Sequence, residues 1–365
     1  MRIVVKIGTS SLTAADGGLD RAAVAKLSSE VAGLRAAGHQ VLVVSSGAVS
    51  GGLVPLGLDP ADRPRDPALL RAASAVGQIA LVAAYQEALG AHELVAAQVL
   101  LAPTDLWNRS RYLKSRGTIV SLLTRGAVPV LNENDPLADD ELRFGDNDRL
   151  AALVAHLVEA DQLVLLTDTA GLFTADPRFD DGASLIEEII EFDQRLEAMA
   201  GGPGTPGARG GMASKLAAAK IATWSGVETV IAQAARPGVL ADAAQGAKGV
   251  GTVFRPRPGR LAARKLWIAF ASPSSGRIAV DDGARAALME RNRSLLAAGV
   301  TTVDGSFEAD AAVEVVDAGG EVFAKGLVRW NAEALRGHAG QRTVDLPDHL
   351  PHEVIHRDDL VMLPG

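Results

Sequence analysis

Short apolar runs rich in Val, Ile and Leu alternate with amphipathic segments over roughly the first 255 residues of this chain. The runs predict strands at 3–7, 41–44, 95–101, 128–131, 163–166 and 227–231. Between the first two, apolar residues recur at helical spacing from Val24 to Leu34, with Asp20 placed to cap the helix and Gly38 to end it. This alternation predicts an α/β domain with an open, mostly parallel sheet flanked by helices.

The pattern changes after residue 255, where the sequence Arg-Pro-Arg-Pro-Gly-Arg is unsuited to a helix or a central strand. We therefore expect a first domain at 1–255, a linker at 256–274 and a second domain at 275–365. Short alternating segments predict strands at 277–280, 312–316, 322–324 and 326–330, with one helix around 284–291. Such a series of short strands is typical of a small β-barrel.

Composition narrows the possible functions. The 365 residues include no cysteine, which excludes disulfides, thiol catalysis and the common zinc sites. A formal charge of −8 argues against a general polyanion partner. No apolar run approaches the roughly 20 residues of a membrane span, and the N-terminus lacks the long apolar region of a secretory signal. We expect a cytoplasmic protein with no membrane partner.

Lys6 interrupts the first apolar strand and is followed by the small-residue loop Gly8-Thr9-Ser10. An ammonium among apolar residues is costly unless an anion meets it, and the loop adds backbone N–H and hydroxyl donors. Together these groups suit a phosphate. The alternative is that Lys6 lies at a strand end and extends to water.

Polar residues are concentrated where further predicted strands end. The sequences are Ser-Ser-Gly-Ala-Val-Ser-Gly-Gly at 45–52, Asn-Glu-Asn-Asp at 132–135 and Thr-Asp at 167–168, and Gly-Asp-Asn-Asp at 145–148 opens an apolar helix. Ligands of open α/β sheets bind at the carboxyl ends of strands. Carboxylates and carboxamides there would recognise an ammonium group, and one aspartate could orient a lysine. Taken alone, each segment is also explained as a turn or a helix cap, and we interpret Glu133 and Asp146 as structural.

The segment Arg-Gly-Gly-Met-Ala-Ser-Lys at 209–215 opens another predicted helix. Two glycines before a helix N-terminus, with Ser and Lys in the first turn, favour a polyphosphate through free N–H groups, the helix dipole and a point charge. The Walker A spacing is absent, which excludes ordinary P-loop kinases, and no GxGxxG follows the first strand.

These segments occur in the order and spacing of a known family. The chain resembles the glutamate 5-kinases of the amino acid kinase superfamily over nearly its full length. The shared motifs are Val-Lys-Ile-Gly-Thr-Ser, Ser-Ser-Gly-Ala-Val, Asn-Glu-Asn-Asp, Gly-Asp-Asn-Asp, Thr-Asp-x-x-Gly-Leu and Gly-Gly-Met-x-Ser/Thr-Lys. Segments at 263–268, 280–284 and 294–296 are similar to the start of the family's C-terminal PUA domain. Arg209 stands where members of the family usually carry another residue, so its role is open.

The resemblance implies ATP-dependent phosphorylation of the L-glutamate side-chain carboxylate to L-glutamyl 5-phosphate, the first step of proline biosynthesis. It implies catalytic roles for Lys6, Lys215 and Asp148. Residues implied to bind glutamate are Ser46, Asp135 and Asn147, with Asn132 as a further candidate. Residues implied to bind ATP are Lys6, Gly8, Thr167, Asp168, Arg209, Gly210, Gly211, Met212, Ala213, Ser214 and Lys215. Mg²⁺ would be carried mainly by the nucleotide phosphates, without a metal site made by the protein.

By analogy with the family, we expect a homo-oligomer, a dimer or tetramer, with proline as feedback inhibitor and glutamyl phosphate reductase as a possible channelling partner. One alternative is another amino acid kinase, of the acetylglutamate, aspartate or uridylate type. The other is an RNA-linked accessory protein, since PUA domains usually accompany RNA chemistry. From residue 275 onward, however, 9 Lys and Arg face 15 Asp and Glu, which makes a nucleic-acid partner unfavourable.

Overall fold

The computed structural model describes residues 1–137, 147–175, 180, 182–192, 196, 211–257, 261–272, 274–347 and 349–363. The chain divides into two compact units, residues 1–260 and 261–365. We refer to them as the first and the second unit.

A sheet of eight described strands forms the centre of the first unit. The strands are β1 (Arg2–Ile7), β2 (Gln40–Ser45), β3 (Ala96–Leu101), β4 (Val128–Glu133), β5 (Gln162–Thr167), β6 (Glu188–Ile189), β7 (Glu228–Gln233) and β8 (Gly251–Phe254). Their order is β3-β4-β2-β1-β5-β7-β8-β6. Every neighbouring pair is parallel except β7 and β8. The expected open, mostly parallel sheet is confirmed.

Helices connect these strands and cover the sheet. They are α1 (Arg21–Ala36), α2 (Ala48–Leu53), α3 (Pro67–Gly90), α4 (Pro103–Trp107), α5 (Arg109–Thr124), α6 (Asn147–Leu157), α7 (Met212–Trp224) and α8 (Val239–Ala244). Short 3₁₀ turns occupy Thr9–Ser11, Val54–Leu56, Pro60–Asp62 and Asp135–Leu137. Asp20 caps α1 as predicted, since its Oδ1 accepts from the Ala23 N–H at 2.9 Å. Gly38 follows this helix with a φ of 85°, a conformation that favours glycine.

Helix α3 is 24 residues long and apolar enough, by length and composition alone, to cross a membrane. The expectation that no apolar segment approaches this limit is therefore wrong for α3. Core helices of globular domains can reach the same length and hydropathy. Here Leu81, Tyr85 and Leu89 of α3 are buried in the core of the first unit.

The direction in which strands are added reverses at β1. The chain passes from β1 to β2 on one side, and later returns to pair β5 with the other side of β1. In open α/β sheets such a reversal leaves a crevice at the carboxyl ends of the two flanking strands. The topology thus places the ends of β1, β2 and β5 where a ligand would bind.

Helices α2 and α3 touch backbone to backbone. A Cβ atom added at Gly52 would overlap the carbonyl oxygen of Ala73, and one at Gly77 would overlap that of Ala48. Only glycine permits so close an approach. The contact fixes α3 against the segment that follows β2.

The second unit contains a five-stranded sheet of mixed direction, in the order β10-β9-β11-β12-β13. Its strands are β9 (Gly276–Val280), β10 (Val300–Gly305), β11 (Ala312–Val316), β12 (Val322–Val328) and β13 (Ile355–Met362). The helices are α9 (Ala263–Leu266), α10 (Asp282–Arg291) and α11 (Ala332–His338), with π-helical residues Trp267–Ala271 and 3₁₀ turns Ala297–Gly299 and Thr343–Asp345. A separate apolar core includes Trp330, Leu335 and Val354.

This unit differs in detail from the sequence prediction. The strands expected at 322–324 and 326–330 form one continuous strand, because Lys325 and Gly326 both pair with β13. Strands β10 and β13 and helix α11 were not predicted. The two strands form the edges of the sheet and carry polar or charged residues, so their apolar pattern is weak. Residues 263–271, within the stretch expected as a linker, are helical.

Candidate active site

A cavity of about 470 Å³ opens at the carboxyl ends of β1, β2, β4 and β5. The structure brings many of the sequence-predicted site residues together in its wall. These are Lys6, Gly8, Ser46, Asn132, Asp135, Asn147, Asp148, Thr167 and Lys215. They come from segments that are distant in sequence and meet at the reversal point of the sheet.

Two lysines share one buried aspartate in this wall. Lys6 Nζ lies 2.5 Å from Asp148 Oδ1, and Lys215 Nζ lies 3.2 Å from Asp148 Oδ2. The side chain of Asp148 is 1% exposed, and those of Lys6 and Lys215 are 6% and 7% exposed. Ser214 Oγ donates to Asp148 Oδ2 at 2.8 Å. Since two cations face one anion, this lysine–aspartate cluster is net positive and favours a further anion.

Lys6 reaches the cluster because of its place on β1. Val5 and Ile7 belong to the core on one face of the sheet, and Lys6, between them, faces the opposite side. Helix α6 packs against β1 and carries Asp148 in its first turn. A carboxylate in the first turn is stabilised by the helix dipole.

The ionisation of Asp148 follows from its neighbours. Burial by itself would raise the pKa of Asp148, but the charges of Lys6 and Lys215 and hydrogen bonds from Lys6 and Ser214 outweigh it. The pKa of Asp148 therefore lies below its usual value of 3.8. At neutral pH Asp148 is a fixed anion that orients the two lysines, and a role as general base is unsuitable.

A network of hydrogen-bonded polar side chains adjoins the lysine–aspartate cluster at the start of α6. Asn147 Nδ2 donates to Ser46 Oγ and to Asn132 Oδ1, both at 2.9 Å. Asn132 in turn donates through Nδ2 to Gln78 Oε1 at 2.9 Å. The turn after β2 presents Ser46 because Gly47 adopts a φ of 100° before α2 begins. Amide and hydroxyl groups are thus fixed beside the lysine–aspartate cluster.

Asp135 lies in the 3₁₀ turn that follows β4 and is only partly exposed. Ser74 Oγ of α3 donates to Asp135 Oδ2 at 2.5 Å. A carboxylate at this position can receive an ammonium group.

Thr167 and Asp168, two of the residues predicted to hold the nucleotide, lie at the end of β5, which pairs with the edge of β1 opposite β2. Thr167 ends β5, and its Oγ1 donates to Asp168 Oδ1 at 2.9 Å. Asp168 does not line the 470 Å³ cavity but lines a neighbouring cavity of about 360 Å³, which shares Ser10, Leu166 and Thr167 with the first. Arg209 and Gly210 lie outside the described residues.

Gly211 is the N-cap of α7 and, as a glycine, offers no side-chain cap to the first N–H groups of the helix. Such N–H groups can bind a phosphate. Met212, Ala213, Ser214 and Lys215 form the first turn of α7. Ser214 and Lys215 contact Asp148. Met212 and Ala213 do not line the 470 Å³ cavity.

Sequence reasoning missed four residues of this region. Arg63 and Glu133 line the cavity, although Glu133 was interpreted as structural and Arg63 received no role. Ser74 and Gln78 hold two of the predicted residues from α3. Their signal was present, since a Ser and a Gln four residues apart in an apolar helix are costly without partners. Asp146 lies outside the described residues.

In the described part of the chain, no group of three or more His, Cys, Asp or Glu side chains could hold a metal ion. The net positive cluster and the open N-terminus of α7 fit the phosphates of a metal–nucleotide complex. A metal held mainly by the nucleotide is compatible with these groups.

A UMP kinase from Bacillus anthracis superposes with a TM-score of 0.49 at 15% identity, covering 72% of this chain and 98% of that one. The family model for the amino acid kinase family matches residues 1–233, and that for the PUA domain matches residues 276–350.

Among curated relatives, the glutamate 5-kinase of Myxococcus xanthus is 46% identical over 99% of this chain and 96% of its own length. Those of Ralstonia pickettii and Chromobacterium violaceum are 43% and 45% identical, over 99% of this chain and 97% and 98% of their own lengths. On these sequence matches, the chain belongs to the amino acid kinase family and, within it, to the glutamate 5-kinases.

Proposed function

We propose that this protein transfers the γ-phosphoryl group of ATP to the side-chain carboxylate of L-glutamate. The product is L-glutamyl 5-phosphate, and the reaction is the first step of proline biosynthesis. The observation that carries the proposal is the buried cluster of Lys6, Asp148 and Lys215 at the reversal point of the sheet. Membership of the glutamate 5-kinases supports the choice of acceptor.

The reaction needs little acid–base chemistry. A side-chain carboxylate oxygen of glutamate forms the new bond to the γ-phosphorus, and the bond from that phosphorus to the bridging oxygen of ADP breaks. The carboxylate is already ionised, so no proton has to be removed. Both reactants are anionic, and the main requirement is to neutralise and align them. Lys6 and Lys215 would contact the transferring phosphoryl group, while Asp148 holds their ammonium groups at a fixed separation.

Glutamate would lie on the side of Ser46, Asp135 and Asn147. The carboxylate of Asp135 would accept from the substrate ammonium group. Asn147 and Ser46 are hydrogen-bonded to each other and would contact the substrate through their remaining hydrogen-bonding capacity. Asn132 would act chiefly by orienting Asn147, because its Oδ1 accepts from Asn147 Nδ2.

ATP would lie between the end of β5 and the start of α7. Thr167 and Asp168 would hold it through hydroxyl and backbone groups, and the N–H groups after Gly211 would receive the phosphates. Gly8 allows the β1 loop to approach those phosphates closely. Amino acid kinases use ATP, typically with Mg²⁺, which would supply charge neutralisation at the phosphates.

The decisive experiment measures ADP release against a panel containing L-glutamate, N-acetylglutamate, L-aspartate and UMP, with hydroxylamine to trap acyl phosphates. We expect turnover and a trapped hydroxamate with L-glutamate alone. Turnover with N-acetylglutamate, aspartate or UMP in its place would refute the assignment of substrate and favour another amino acid kinase activity.

We extend the proposal to a cytoplasmic location, assembly as a dimer or tetramer, inhibition by proline and transfer of the product to glutamyl phosphate reductase. Sedimentation tests the assembly as a dimer or tetramer, and a proline titration of the same assay tests the inhibition. A monomer, or activity unaffected by millimolar proline, would contradict them.

A further inference from the structure

We call Ser46, Asp135 and Asn147 the glutamate subsite. We propose that helix α3 fixes its geometry through two positioning residues, Ser74 and Gln78. The inference rests on the proposed function, because it assigns them to the half of the cavity where glutamate would bind. Neither residue lines the 470 Å³ cavity. Each contacts a residue that does.

Ser74 acts on Asp135. Its side chain is buried, and its Oγ lies 2.5 Å from Asp135 Oδ2. Asp135 belongs to a short 3₁₀ turn, which by itself gives a side chain few constraints. The hydroxyl donor fixes the rotation of the carboxylate and so the direction in which it can meet an ammonium group.

Gln78 acts on Asn132 and, through it, on Asn147. Gln78 Oε1 accepts from Asn132 Nδ2 at 2.9 Å. An amide has one donor and one acceptor end, so this bond turns Asn132 Oδ1 towards Asn147 Nδ2, also at 2.9 Å. The backbone N–H of Glu133 also donates to Asn132 Oδ1, at 2.9 Å, so Gln78 supplies the acceptor for the other end of this amide. Loss of Gln78 would leave the buried Asn132 NH₂ group without that acceptor and loosen the amide that receives Asn147.

The two residues share one helix face because they are four positions apart. Their helix is held by the backbone contact of Gly77 with α2, and α2 follows directly after Ser46 and Gly47. Helix α3 therefore supports both sides of the glutamate subsite from one rigid element.

The test compares Ser74→Ala, Ser74→Thr and Gln78→Met with wild type. Gln86→Met is the matched control, since Gln86 is exposed on the same helix. We expect Ser74→Ala and Gln78→Met to raise the KM for glutamate roughly tenfold, with the KM for ATP within about twofold of wild type. Ser74→Thr, which keeps the hydroxyl, should restore most of the affinity. Gln86→Met should match wild type.

A double-mutant cycle separates positioning from general destabilisation. If Ser74 acts through Asp135, Ser74→Ala should add little to Asp135→Ala, whereas independent effects would multiply. Unchanged glutamate KM values, equal increases for both substrates, or multiplicative effects in the cycle would overturn the inference. A wild-type protein that does not phosphorylate glutamate would instead refute the proposed function.

A separate observation assigns a substrate contact to Arg63. Its side chain is exposed at the wall of the cavity, and no hydrogen bond or ion pair of Arg63 occurs within the described residues. The residue follows the 3₁₀ turn Pro60–Asp62, in the connection between α2 and α3. That connection joins α2, which follows Ser46 and Gly47, to α3, whose Ser74 bonds Asp135.

We infer that Arg63 binds the carboxylate of glutamate that does not receive the phosphoryl group. Glutamate has two carboxylates, and Lys6 and Lys215 are paired with Asp148 and assigned to the transferring group. A guanidinium matches a carboxylate through two parallel hydrogen bonds. Arg63 lines the same cavity as Ser46, Asp135 and Asn147 and has the required charge.

The test uses Arg63→Ala, Arg63→Lys and the neighbouring control Arg65→Ala, since Arg65 is exposed but does not line the cavity. We expect Arg63→Ala to raise the KM for glutamate about tenfold or more, with Arg63→Lys intermediate. The KM for ATP and all constants of Arg65→Ala should stay near wild type. A larger effect on ATP, or equal effects of the two alanine variants, would overturn this assignment.

Discussion

Lys6 Nζ lies 2.5 Å from Asp148 Oδ1, although the two residues are separated by 142 positions and are both almost fully buried. A lone ammonium inside a strand is unfavourable, and a lone carboxylate at the start of a buried helix is equally so. The charge of each residue offsets the cost of burying the other. Lys215 adds a second positive charge, which leaves the cluster net positive. The cluster therefore attracts an anion while its own geometry is already fixed.

Neutralising either lysine should depress turnover. Lys6→Met and Lys215→Met remove a charge that acts on the transferring phosphoryl group, and we expect kcat to fall about 10²-fold or more. Lys248→Met serves as the control, because Lys248 is exposed and does not line the cavity. Normal turnover by Lys6→Met would rule out the assignment of β1 to phosphoryl transfer.

Asp148→Asn should lower both activity and stability. The variant leaves two buried lysines without their anion, and breaking a buried ion pair on one side costs about 3 kcal/mol or more. We also expect kcat to fall more than the KM for glutamate rises, since Asp148 orients lysines and is not assigned to glutamate. Urea unfolding and steady-state kinetics measure the two effects. An increase in glutamate KM with unchanged kcat would mean that Asp148 binds substrate directly.

The pH dependence of that stability difference follows from the lowered pKa of Asp148. A carboxyl group whose pKa is lower in the folded protein stabilises it above the unfolded value, near 3.8, and loses this effect as the pH falls through the folded pKa. The difference in unfolding free energy between wild type and Asp148→Asn should thus stay constant from about pH 8 to pH 5. If this difference in unfolding free energy disappeared near pH 6, Asp148 would be protonated well above pH 3.8, which would contradict its lowered pKa.

Substrate binding should separate from chemistry at Asp135 and Asn147. Asp135→Ala and Asn147→Ala remove groups on the glutamate side of the cavity, so we expect the KM for glutamate to rise far more than that for ATP. Initial rates with each substrate varied in turn provide the measurement. If Asn147→Ala chiefly lowers kcat and Asp148→Ala chiefly raises the glutamate KM, the roles of these neighbours are exchanged.

Lys6 and the segment 132–135 stood out in the sequence because they break local rules, whereas the roles of Asp148 and Lys215 followed from the resemblance to the family. Lys6 stands in an apolar strand, and the sequence 132–135 places four amide or acid side chains at a strand end. Ser74 and Gln78 were missed because α3 is rich in Ala and Leu, and a short Ser or a single Gln hardly changes such a pattern. Arg63 lies in a polar connection, where an arginine is ordinary. Its place in the cavity wall depends on how α2 and α3 cross, which no local pattern specifies.

Buried strands of the first unit were easier to predict than the edge strands of the second unit. Strands such as β5, buried along its whole length, carry a continuous apolar signal, and the six predicted strands of the first unit were found within two residues of their ends. The short strands β6 and β8 were not predicted. Edge strands β10 and β13 carry exposed polar or charged residues within their apolar sequence, as at Arg357 and Asp358, and neither shows a regular alternation of buried and exposed positions. Their pairing is decided by the neighbouring strand, so composition alone did not reveal them.

The division of the chain into two units predicts that chemistry is confined to the first. A chain ending at Arg260 retains the lysine–aspartate cluster, the glutamate subsite and the start of α7, and its sheet and core lie within the first unit. We therefore expect it to form L-glutamyl 5-phosphate at a rate within about tenfold of the full chain. The described residues assigned to the site all belong to the first unit, and we expect loss of the second to alter inhibition by proline, Mg²⁺ dependence or oligomer size. A cooperative thermal unfolding transition first confirms that the shorter chain is folded. The hydroxylamine assay is then carried out on both chains, and their rates are compared. A folded but inactive shorter chain would show that the active site requires residues 261–365.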